Sequence, residues 1–447
     1  MKHEAIFAEA KKHGFSDCEV YYSESNSFAV KIFGGEIAEY KNADCAGLSF
    51  RGTKNRMGYA FTEKLDDTVI PGLIKNAADN AGVIEEKEIE KLYAGDDVYP
   101  KVDSYNPALN DLSAKEKIDL ALAMEKCAYG QDSRVKSVDY CQLGTSEGMV
   151  SIANSYGMDL SNRSNMAYAY LVARVEENGI TKTGMEIWYG NDWGSFSYEA
   201  VAKAAVCRAI SYLNAQSVES ASYPVIFDNR TACSLMAAFS SVFFAENAQK
   251  GFSMLADKEG EVIAAPNITL RDDGVSEYVT FGSSPFDSEG VAVKKKAVIS
   301  DGVLKTLLYN TKSAGKAGKA GTGNGFKASF RSAISTACTN FYIVPSDITP
   351  QKMRADIKKG ILITEMAGLH AGINPVSGDF SISSEGFLIE DGQITRPVEQ
   401  ITVAGNFYNL LKDISCVASD LRFEVPTSGG TFGMPSILVR ELPVSGL

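Results

Sequence analysis

Residues 231–247, TACSLMAAFSSVFFAEN, are the stretch on which the interpretation of this sequence depends. They follow a strand-like run, YPVIFD at 223–228, and their apolar residues predict one long buried helix. Such a helix is a suitable mount for catalytic side chains, yet its first fifteen residues include no His, Asp, Glu, Lys or Arg. The stretch therefore predicts a helix that packs without supplying a catalytic acid or base.

The overall composition predicts a soluble protein of two or three domains. The chain has 447 residues, of which 45% are hydrophobic and 22% are charged. Its net charge of −12 argues against direct nucleic-acid binding, and no apolar run reaches the roughly 18 residues of a membrane span. Because the N-terminus does not resemble a signal peptide either, we expect a cytoplasmic protein. The short basic clusters at 294–296 and 312–319 are interpreted as solvated surface.

Cysteines and histidines leave few candidates for metal or redox chemistry. No two cysteines form a CxxC pair, and most lie in apolar runs, which predicts reduced, buried thiols. The eight are Cys18, Cys45, Cys127, Cys141, Cys207, Cys233, Cys338 and Cys416. With only His3, His13 and His370 in the chain, a histidine-based site has very few possible members.

The first half of the chain predicts two α+β domains, 1–92 and 113–220, joined by a linker at 93–112. In the first domain the helical segments 4–13 and 66–82 flank a long alternating stretch with a Gly34-Gly35 hairpin. The linker is rich in Asp, Pro, Ser and Tyr. In the second domain, Ser113 is placed to cap a helix at 114–129. Three strands near 134–143, 147–153 and 167–175, an Asn178-Gly179 hairpin and a helix at 197–215 follow.

Residues 221–447 predict a third, β-rich domain. Asp301-Gly302 and Asp391-Gly392 are hairpin signals between strand-like runs, and 314–325 is interpreted as a flexible glycine-rich loop. Many strands with few helices favour a curved antiparallel sheet. The predicted fold class is therefore α+β, with a β-rich C-terminal domain.

Searches for known catalytic patterns find no convincing match. Gly318-Lys319 is followed by Ala320 rather than Ser or Thr, which argues against a phosphate-binding loop, and GxSxG is absent. A pair of Cys338 and His370 is conceivable, but Cys338 lies in an apolar, strand-like run that indicates a core thiol. The carboxylate pairs Asp66-Asp67 and Asp272-Asp273 are assigned to turns or helix caps.

Much of the chain resembles the TldD/PmbA family, whose members are also described as modulators of DNA gyrase. The resemblance rests on SPFDSEGVAVKKKAVISDGVLKTLLYNTKSAGKAG, GTGNG, GILITEMAG, VSGDFSISSEGFLIEDGQITRPVEQITVAGN and FGMPSILV, which cover most of the last 225 residues. SDCEVYYSESNSFAVKIFGGEIAEY at 16–40 is similar to the family's first domain. The resemblance implies a paired metalloprotease system.

TldD-type members of that family carry HExxxH on the helix at 231–247, together with a cysteine near the C-terminus. These residues hold a zinc ion that activates water. Fitted to this sequence, the motif places Ala237 and Ala238 at the first His and the Glu, and Val242 at the second His. No cysteine follows Cys416, and the expected segment is VPTSGG at 425–430. The resemblance thus implies the PmbA/TldE branch, with no metal here and zinc only in a TldD-type partner.

The expected protein is a subunit that is inactive alone, pairs with the metal-bearing subunit and forms a homodimer in its absence. It would hold extended peptide by strand addition in a cleft of the C-terminal domain. Glycine-rich segments are expected at the rim, contributing Thr322, Gly323, Asn324, Gly325, Asn374, Ser377 and Gly378. Ordinary surface turns are nearly as good an interpretation of these segments. A metal-independent peptidase and a non-proteolytic regulator, such as a DNA gyrase modulator, remain alternatives.

Overall fold

The computed structural model describes residues 3–83, 91–279, 283–427 and 429–447. Its first half contains four α-helices and a six-stranded antiparallel sheet of strand order β3-β2-β1-β4-β5-β6. These elements are α1 (His3–Lys12), β1 (Asp17–Phe33), β2 (Glu36–Thr53), β3 (Met57–Thr62), α2 (Ile70–Val83), α3 (Ala114–Gln131), β4 (Val135–Asn154), β5 (Asp159–Glu177), β6 (Ile180–Gly190) and α4 (Tyr198–Ser211). The predicted units 1–92 and 113–220 thus contribute three strands each to one sheet.

Local turn and cap signals of the first half are confirmed. Gly34 and Gly35 join β1 to β2 with positive φ values of 64° and 81°, as a tight hairpin requires. Ser113 and Glu116 form a reciprocal capping box at the start of α3. The predicted break between strands at 143 and 147 is wrong, because β1 and β5 pair with β4 without interruption across Gly144 to Ser146.

The segment 93–112 contains no strand but is anchored on both sides. Ser104 Oγ donates a hydrogen bond of 2.8 Å to the carbonyl oxygen of Arg163 in β5. Tyr99 Oη donates to the carbonyl of Gly290 at 2.8 Å, and the Asp96 carboxylate accepts from the amide of Ala292 at 2.8 Å. These contacts fix the segment between the first sheet and the C-terminal half.

The described residues of the C-terminal half form two six-stranded sheets and a two-stranded ribbon, β11-β12. One large sheet has the order β10-β9-β8-β13-β19-β18 and the other β16-β15-β14-β7-β20-β17. The elements are β7 (Ala221–Phe227), α5 (Asn229–Phe239), α6 (Ala245–Gln249), β8 (Leu270–Asp273), β9 (Lys295–Ser300), β10 (Val303–Leu304), α7 (Thr311–Ala317), β11 (Gly325–Phe326), β12 (Ser335–Thr336), β13 (Asn340–Ile343), α8 (Pro350–Arg354), β14 (Lys359–Ala367), α9 (Leu369–Gly372), β15 (Asp379–Glu390), β16 (Gln393–Asn406), α10 (Phe407–Asp413), β17 (Ile414–Val417), β18 (Arg422–Phe423), β19 (Thr431–Met434) and β20 (Ile437–Ser445).

The α+β class and the β-rich, largely antiparallel C-terminal half are confirmed. The strands divide between two sheets rather than forming a single curved one, and the pairs β13–β19 and β14–β7 are parallel. One hydrophobic cluster joins both sheets to α5, with Phe341 from one sheet, Ile361 from the other and Phe239 from the helix. Within the described ranges, no helix is long and apolar enough to cross a membrane.

The prediction of one long helix over 231–247 is wrong. The helix α5 ends at Phe239, a 3₁₀ turn spans Ser240–Phe243, and α6 begins at Ala245. Residue Phe244 is extended, because Leu308 donates its amide to the Phe243 carbonyl and accepts the Ala245 amide, both at 2.9 Å. The backbone groups of Phe243 and Ala245 that could have continued the helix thus form hydrogen bonds to the distant residue Leu308.

Two further expectations are corrected. The stretch 314–325, expected to be a flexible loop, starts within α7, continues through the left-handed cap residue Gly318 and ends at the buried strand residue Gly325. Not all cysteines are buried: Cys45 and Cys207 are exposed, although all eight are free thiols. Both lie on regular elements of the first half, Cys45 on β2 and Cys207 on α4.

A buried carboxylate on α3 holds the first hairpin, and its removal is expected to destabilise the protein. Glu125 is 2% exposed and accepts the amides of Gly34 and Gly35 at 2.8 and 2.7 Å. We expect Glu125→Ala to lower the free energy of unfolding by about 2 kcal/mol, because charge-assisted hydrogen bonds are lost. In urea titrations the matched variant Asp119→Ala, on the exposed face of α3, should cost less than about 1 kcal/mol. Equal losses would contradict this role.

Candidate functional site

The helix α5 is held by a cap at its N-terminus and by packing of its buried face. The Asp228 carboxylate caps it by accepting the Thr231 amide at 2.8 Å, and burial raises the pKa of Asp228. On the buried face, Cys233 Sγ lies 3.4 Å from the Arg422 carbonyl oxygen and 3.5 Å from that of Phe432. Burial likewise raises the pKa of the Cys233 thiol. These contacts describe a neutral thiol that packs the helix against β18 and β19.

An ionic cluster joins the start of α5 to the first half of the chain. Arg208 of α4 lies 3.7 Å from the Asp228 carboxylate and 3.1 Å from that of Glu365. Glu186 of β6 pairs with Arg230. Burial is the main cause that raises the pKa of Glu365, and the charge of Arg208 opposes it. Since each charge has an opposite neighbour, the cluster holds two halves of the molecule together.

The three positions fitted to the metal motif carry inert side chains. Ala237 and Ala238 lie partly buried on the last turn of α5, packed against the main core. Val242 is 1% exposed and lies in the 3₁₀ turn, outside the helix. None of these side chains has a lone pair for a metal ion, so the residues do not fit the family's zinc. In the described ranges no group of three His, Cys, Asp or Glu side chains could hold a metal ion.

A cleft of about 840 Å³ lies between the first sheet and the C-terminal half. We call it the inter-sheet cleft. The strands β1, β4 and β5 form one wall, and loops that include Ser283, Thr339 and Thr427 form the other. Eight of its described lining residues are serine or threonine, and the charged ones are Glu24, Asp287 and Lys327. The walls thus offer many neutral donors and acceptors. No lining residue comes from α5.

Comparison with known proteins identifies the family. Three family profiles match in chain order: PmbA/TldA metallopeptidase domain 1 at residues 18–81, the central domain at 107–213 and the C-terminal domain at 220–446. The chain belongs to the PmbA/TldD metallopeptidase family.

Relatives match this PmbA/TldD-family chain over almost its full length. Metalloprotease PmbA of Escherichia coli O157:H7 is 26% identical over 450 residues, covering 97% of this chain and 93% of the relative. A Thermotoga maritima crystal structure, described as a candidate modulator of a DNA gyrase, is 29% identical, with a TM-score of 0.90 and 99% coverage of both chains. TldE of Thermococcus kodakarensis has the same fold, with 23% identity, a TM-score of 0.91 and coverage of 99% of this chain and 100% of that one.

The inter-sheet cleft is lined by Phe326 but by none of the four predicted rim residues just before it, 322–325. Asn324 is fully buried, and its side-chain amide donates hydrogen bonds to the Asp272 carboxylate and to the Ala337 carbonyl, both at 2.9 Å. Gly323 and Gly325 are buried as well. A Cβ on Gly323 would lie 3.0 Å from the Ala292 carbonyl, so the close backbone approach expected of this glycine is made within the chain. Thr322 lines a separate cavity near α7.

The second predicted rim segment is also self-contained. The Asn374 side chain accepts the amides of Val376 and Ser377 at 3.0 and 3.3 Å, as in a local turn. Gly378 has a φ of 84°, and a Cβ there would meet the Tyr408 ring at 2.5 Å. The residues of this loop line neither the inter-sheet cleft nor the cavity near α7.

The carboxylates Asp272 and Asp273 are buried in a strand, although Asp273 also has the predicted turn role, since it accepts the Val275 amide at 3.3 Å. Both lie in β8 and are at most 1% exposed. Asp272 accepts from Lys296 Nζ at 2.6 Å and from the Thr339 amide at 2.7 Å, while Lys295 Nζ lies 3.5 Å from Asp273. Two lysines of the 294–296 cluster are therefore anchored to buried carboxylates rather than simply solvated. This network holds β8 against β9, next to the cleft residue Thr339.

The Cys338–His370 pair is not formed. Cys338 is 3% exposed, and burial raises the pKa of its thiol well above the ordinary value. His370 lies exposed on the short helix α9. No hydrogen bond connects these two described residues. Cys338 is a core thiol, as its apolar neighbours predict.

The metal-motif positions differ in how much they tolerate a polar side chain. We expect Val242→His to lower the free energy of unfolding by about 3 kcal/mol, because an imidazole would be forced into a packed core. Ala237→His, at a partly buried position, should cost about 1 kcal/mol. Urea unfolding measures both. The triple variant Ala237→His, Ala238→Glu, Val242→His should still bind no zinc, and a stoichiometric zinc content would overturn this account of the site.

Proposed function

We propose that this chain is a PmbA/TldE-type subunit of a TldD/PmbA-type metalloprotease system that acts on unfolded or extended peptides. The observation that carries the proposal is the set Ala237, Ala238 and Val242 at the positions where TldD-type members supply their metal ligands and base. The chain keeps the helix and its supports but has no side chain there that could activate a water molecule. Its contribution is to shape the cleft and to hold the peptide, whereas the metal ion belongs to the partner subunit.

The inter-sheet cleft is the proposed place for the peptide. Neutral serine and threonine side chains suit the main chain of any peptide, since they hydrogen-bond amides and carbonyls without selecting a charge. Met149, Val150 and Phe286 add apolar contact area in the same cleft. A cleft of this kind favours extended chains of varied sequence over a single small substrate.

Pairing follows from the similarity between subunits of the two branches. A surface that accepts a TldD-type chain can accept a second copy of this chain in an isologous contact when the partner is absent. The net charge of −12 disfavours larger, indiscriminate assemblies. We therefore propose a homodimer in isolation and a mixed dimer with the metal-bearing subunit.

Two other functions are weaker. A metal-independent peptidase would need an activated nucleophile, but Cys338 and Cys233 are buried, and burial raises the pKa of both thiols. A regulator that acts without proteolysis, such as a modulator of DNA gyrase, is suggested by the description of the Thermotoga maritima relative. The experiments below separate both from the proposed subunit role.

The protein purified alone is expected to contain less than about 0.1 zinc per chain and to cleave no peptide, because α5 offers no ligands. Mixing it with a TldD-type chain should give a mixed dimer and peptidase activity above that of either chain alone. Elemental analysis, light scattering and cleavage of an unfolded fluorogenic peptide measure these outcomes. Peptidase activity without added partner would favour the metal-independent enzyme. A mixed complex without any gain in activity would favour a regulatory role.

Blocking the inter-sheet cleft is expected to reduce the activity of the mixed dimer. Ser164 of β5 lines the cleft, and Ser164→Trp would fill part of it. We expect at least a tenfold loss of kcat/KM, since steric exclusion removes several contacts at once. The control is Ser161→Trp, at an exposed position of the same strand that does not line the cleft. Unchanged activity of Ser164→Trp, with intact assembly by light scattering, would place the peptide elsewhere.

A further inference from the structure

A second cavity, of about 600 Å³, lies where β2 and β3 face α6, α7 and the segment 327–334. We call it the basic cavity. Its described lining carries six cationic side chains, on Arg51, Arg56, Lys250, Lys312, Lys316 and Lys327. The carboxylates of the same lining are Glu246 and Glu289. In a chain of net charge −12, this is a local reversal of sign that favours an anion.

Lys327 is the least expected member of this lining. It is 9% exposed, and its Nζ donates to Ser49 Oγ at 2.8 Å. The aromatic rings of Tyr21 and Tyr59 lie on its sides, with centroids 5.0 and 4.7 Å from Nζ. Among the described residues, no carboxylate oxygen lies within 4.0 Å of Nζ. A buried ammonium group with three donors thus has one hydrogen-bond acceptor, an arrangement that is costly unless something completes it.

The nearby carboxylates each have another partner, although Glu19 Oε2 is buried without a hydrogen-bond partner in the described part of the chain. Glu19 accepts from Arg51 Nε at 2.6 Å, and Glu289 lies 3.7 Å from Arg51 Nη1 and accepts the Thr311 amide at 2.7 Å. Burial, and then the charge of Arg51, lower the pKa of Lys327 to about 7, although Glu19 and Glu289 oppose the shift. Glu19 and Glu289 therefore act on Lys327 from a distance, and neither forms an ion pair with its Nζ within 4.0 Å.

A second donor in the same lining is also incomplete. Arg56 Nη1 donates to the Asn55 carbonyl at 3.1 Å, but its buried Nε has no hydrogen-bond partner in the described part of the chain. Next to these cations, Met57, Ala333 and Ile334 give the cavity an apolar side. The lining thus combines incomplete cationic donors with an apolar wall.

We propose that the basic cavity binds a ligand through a carboxylate group, with Lys327 and Arg56 as the donors and the apolar wall receiving the rest of the ligand. A carboxylate supplies the acceptors that both side chains lack, and it can bridge two donors. The group can come from the C-terminus of a peptide or from a free small organic acid. This inference stands on the cavity and does not require the proposed subunit role.

Binding is linked to a proton. When the Lys327 amine is neutral, a carboxylate binds well only after the amine takes up a proton, so the affinity falls as the pH rises through about 7. The charged or titratable groups that face Lys327 are Glu19 and Tyr21 on β1, Arg51 on β2, Tyr59 on β3 and Glu289. Lys327→Arg keeps its charge at every accessible pH, which would remove this dependence.

Calorimetric titration of the full chain with three probes tests the proposal: hexa-alanine with a free C-terminus, the same peptide as its C-terminal amide, and hexanoate. We expect at least one carboxylate probe to bind about tenfold more tightly than the amide, and to weaken at least tenfold between pH 6.0 and 8.5. Binding of the peptide acid alone identifies a peptide terminus, and binding of hexanoate identifies a small acid. No binding of either acid, or equal binding of the amide, overturns the proposal.

Variants assign the binding to this cavity. Lys327→Met should lose at least tenfold in affinity, and Lys327→Arg should bind without the pH dependence. Lys203→Met, at an exposed position of α4, is the matched control and should bind like the wild-type chain. Because Lys327 also lines the inter-sheet cleft, Arg56→Gln, at the partly buried rim of the basic cavity alone, assigns the binding to this cavity and should weaken it severalfold. The same variant tests the site if Lys327→Met fails to fold. Full affinity in either folded variant overturns the assignment.

Discussion

Arg51 lies between two buried carboxylates, and the arrangement of the whole molecule depends on this contact. One of them, Glu19, is on the neighbouring strand of the first sheet, and the other, Glu289, belongs to the C-terminal half. Removing one member of such a cluster leaves an unpaired buried charge, which typically costs about 3–5 kcal/mol. The contact therefore fixes how the first sheet faces the C-terminal half. The inter-sheet cleft and the basic cavity both lie along that boundary.

Features set by neighbouring residues could be predicted from the sequence. The Gly34-Gly35 hairpin and the Ser113 cap depend on backbone preferences and on side chains three residues apart. The break before α6 could not be predicted, because the partner that bonds to Phe243 and Ala245 is Leu308, more than sixty residues away. The continuity of β4 was missed for the same reason, since its polar middle is held by strands on both sides.

The candidate site was open to sequence analysis only through the family resemblance. That resemblance located Ala237, Ala238 and Val242, but the rim segments chosen for their glycines serve the chain's own packing. For the basic cavity, the sequence showed only the basic cluster at 312–319, which contributes Lys312 and Lys316 but was interpreted as solvated surface. The cavity's members come from separate segments around residues 51–59, 246–250, 289, 310–316, 327 and 333–334, and no motif relates them.

The shared sheet of the first half has a consequence for how the chain could be divided. The strand β1 pairs along almost all of its length with both β2 and β4, although the family profiles assign these strands to different domains. A cut between the two three-stranded halves would leave a long edge strand on each fragment. The unpaired backbone N–H and C=O groups of such an edge readily pair with another strand. The fold thus has a built-in site for fragment complementation, or for strand exchange between two copies of the chain.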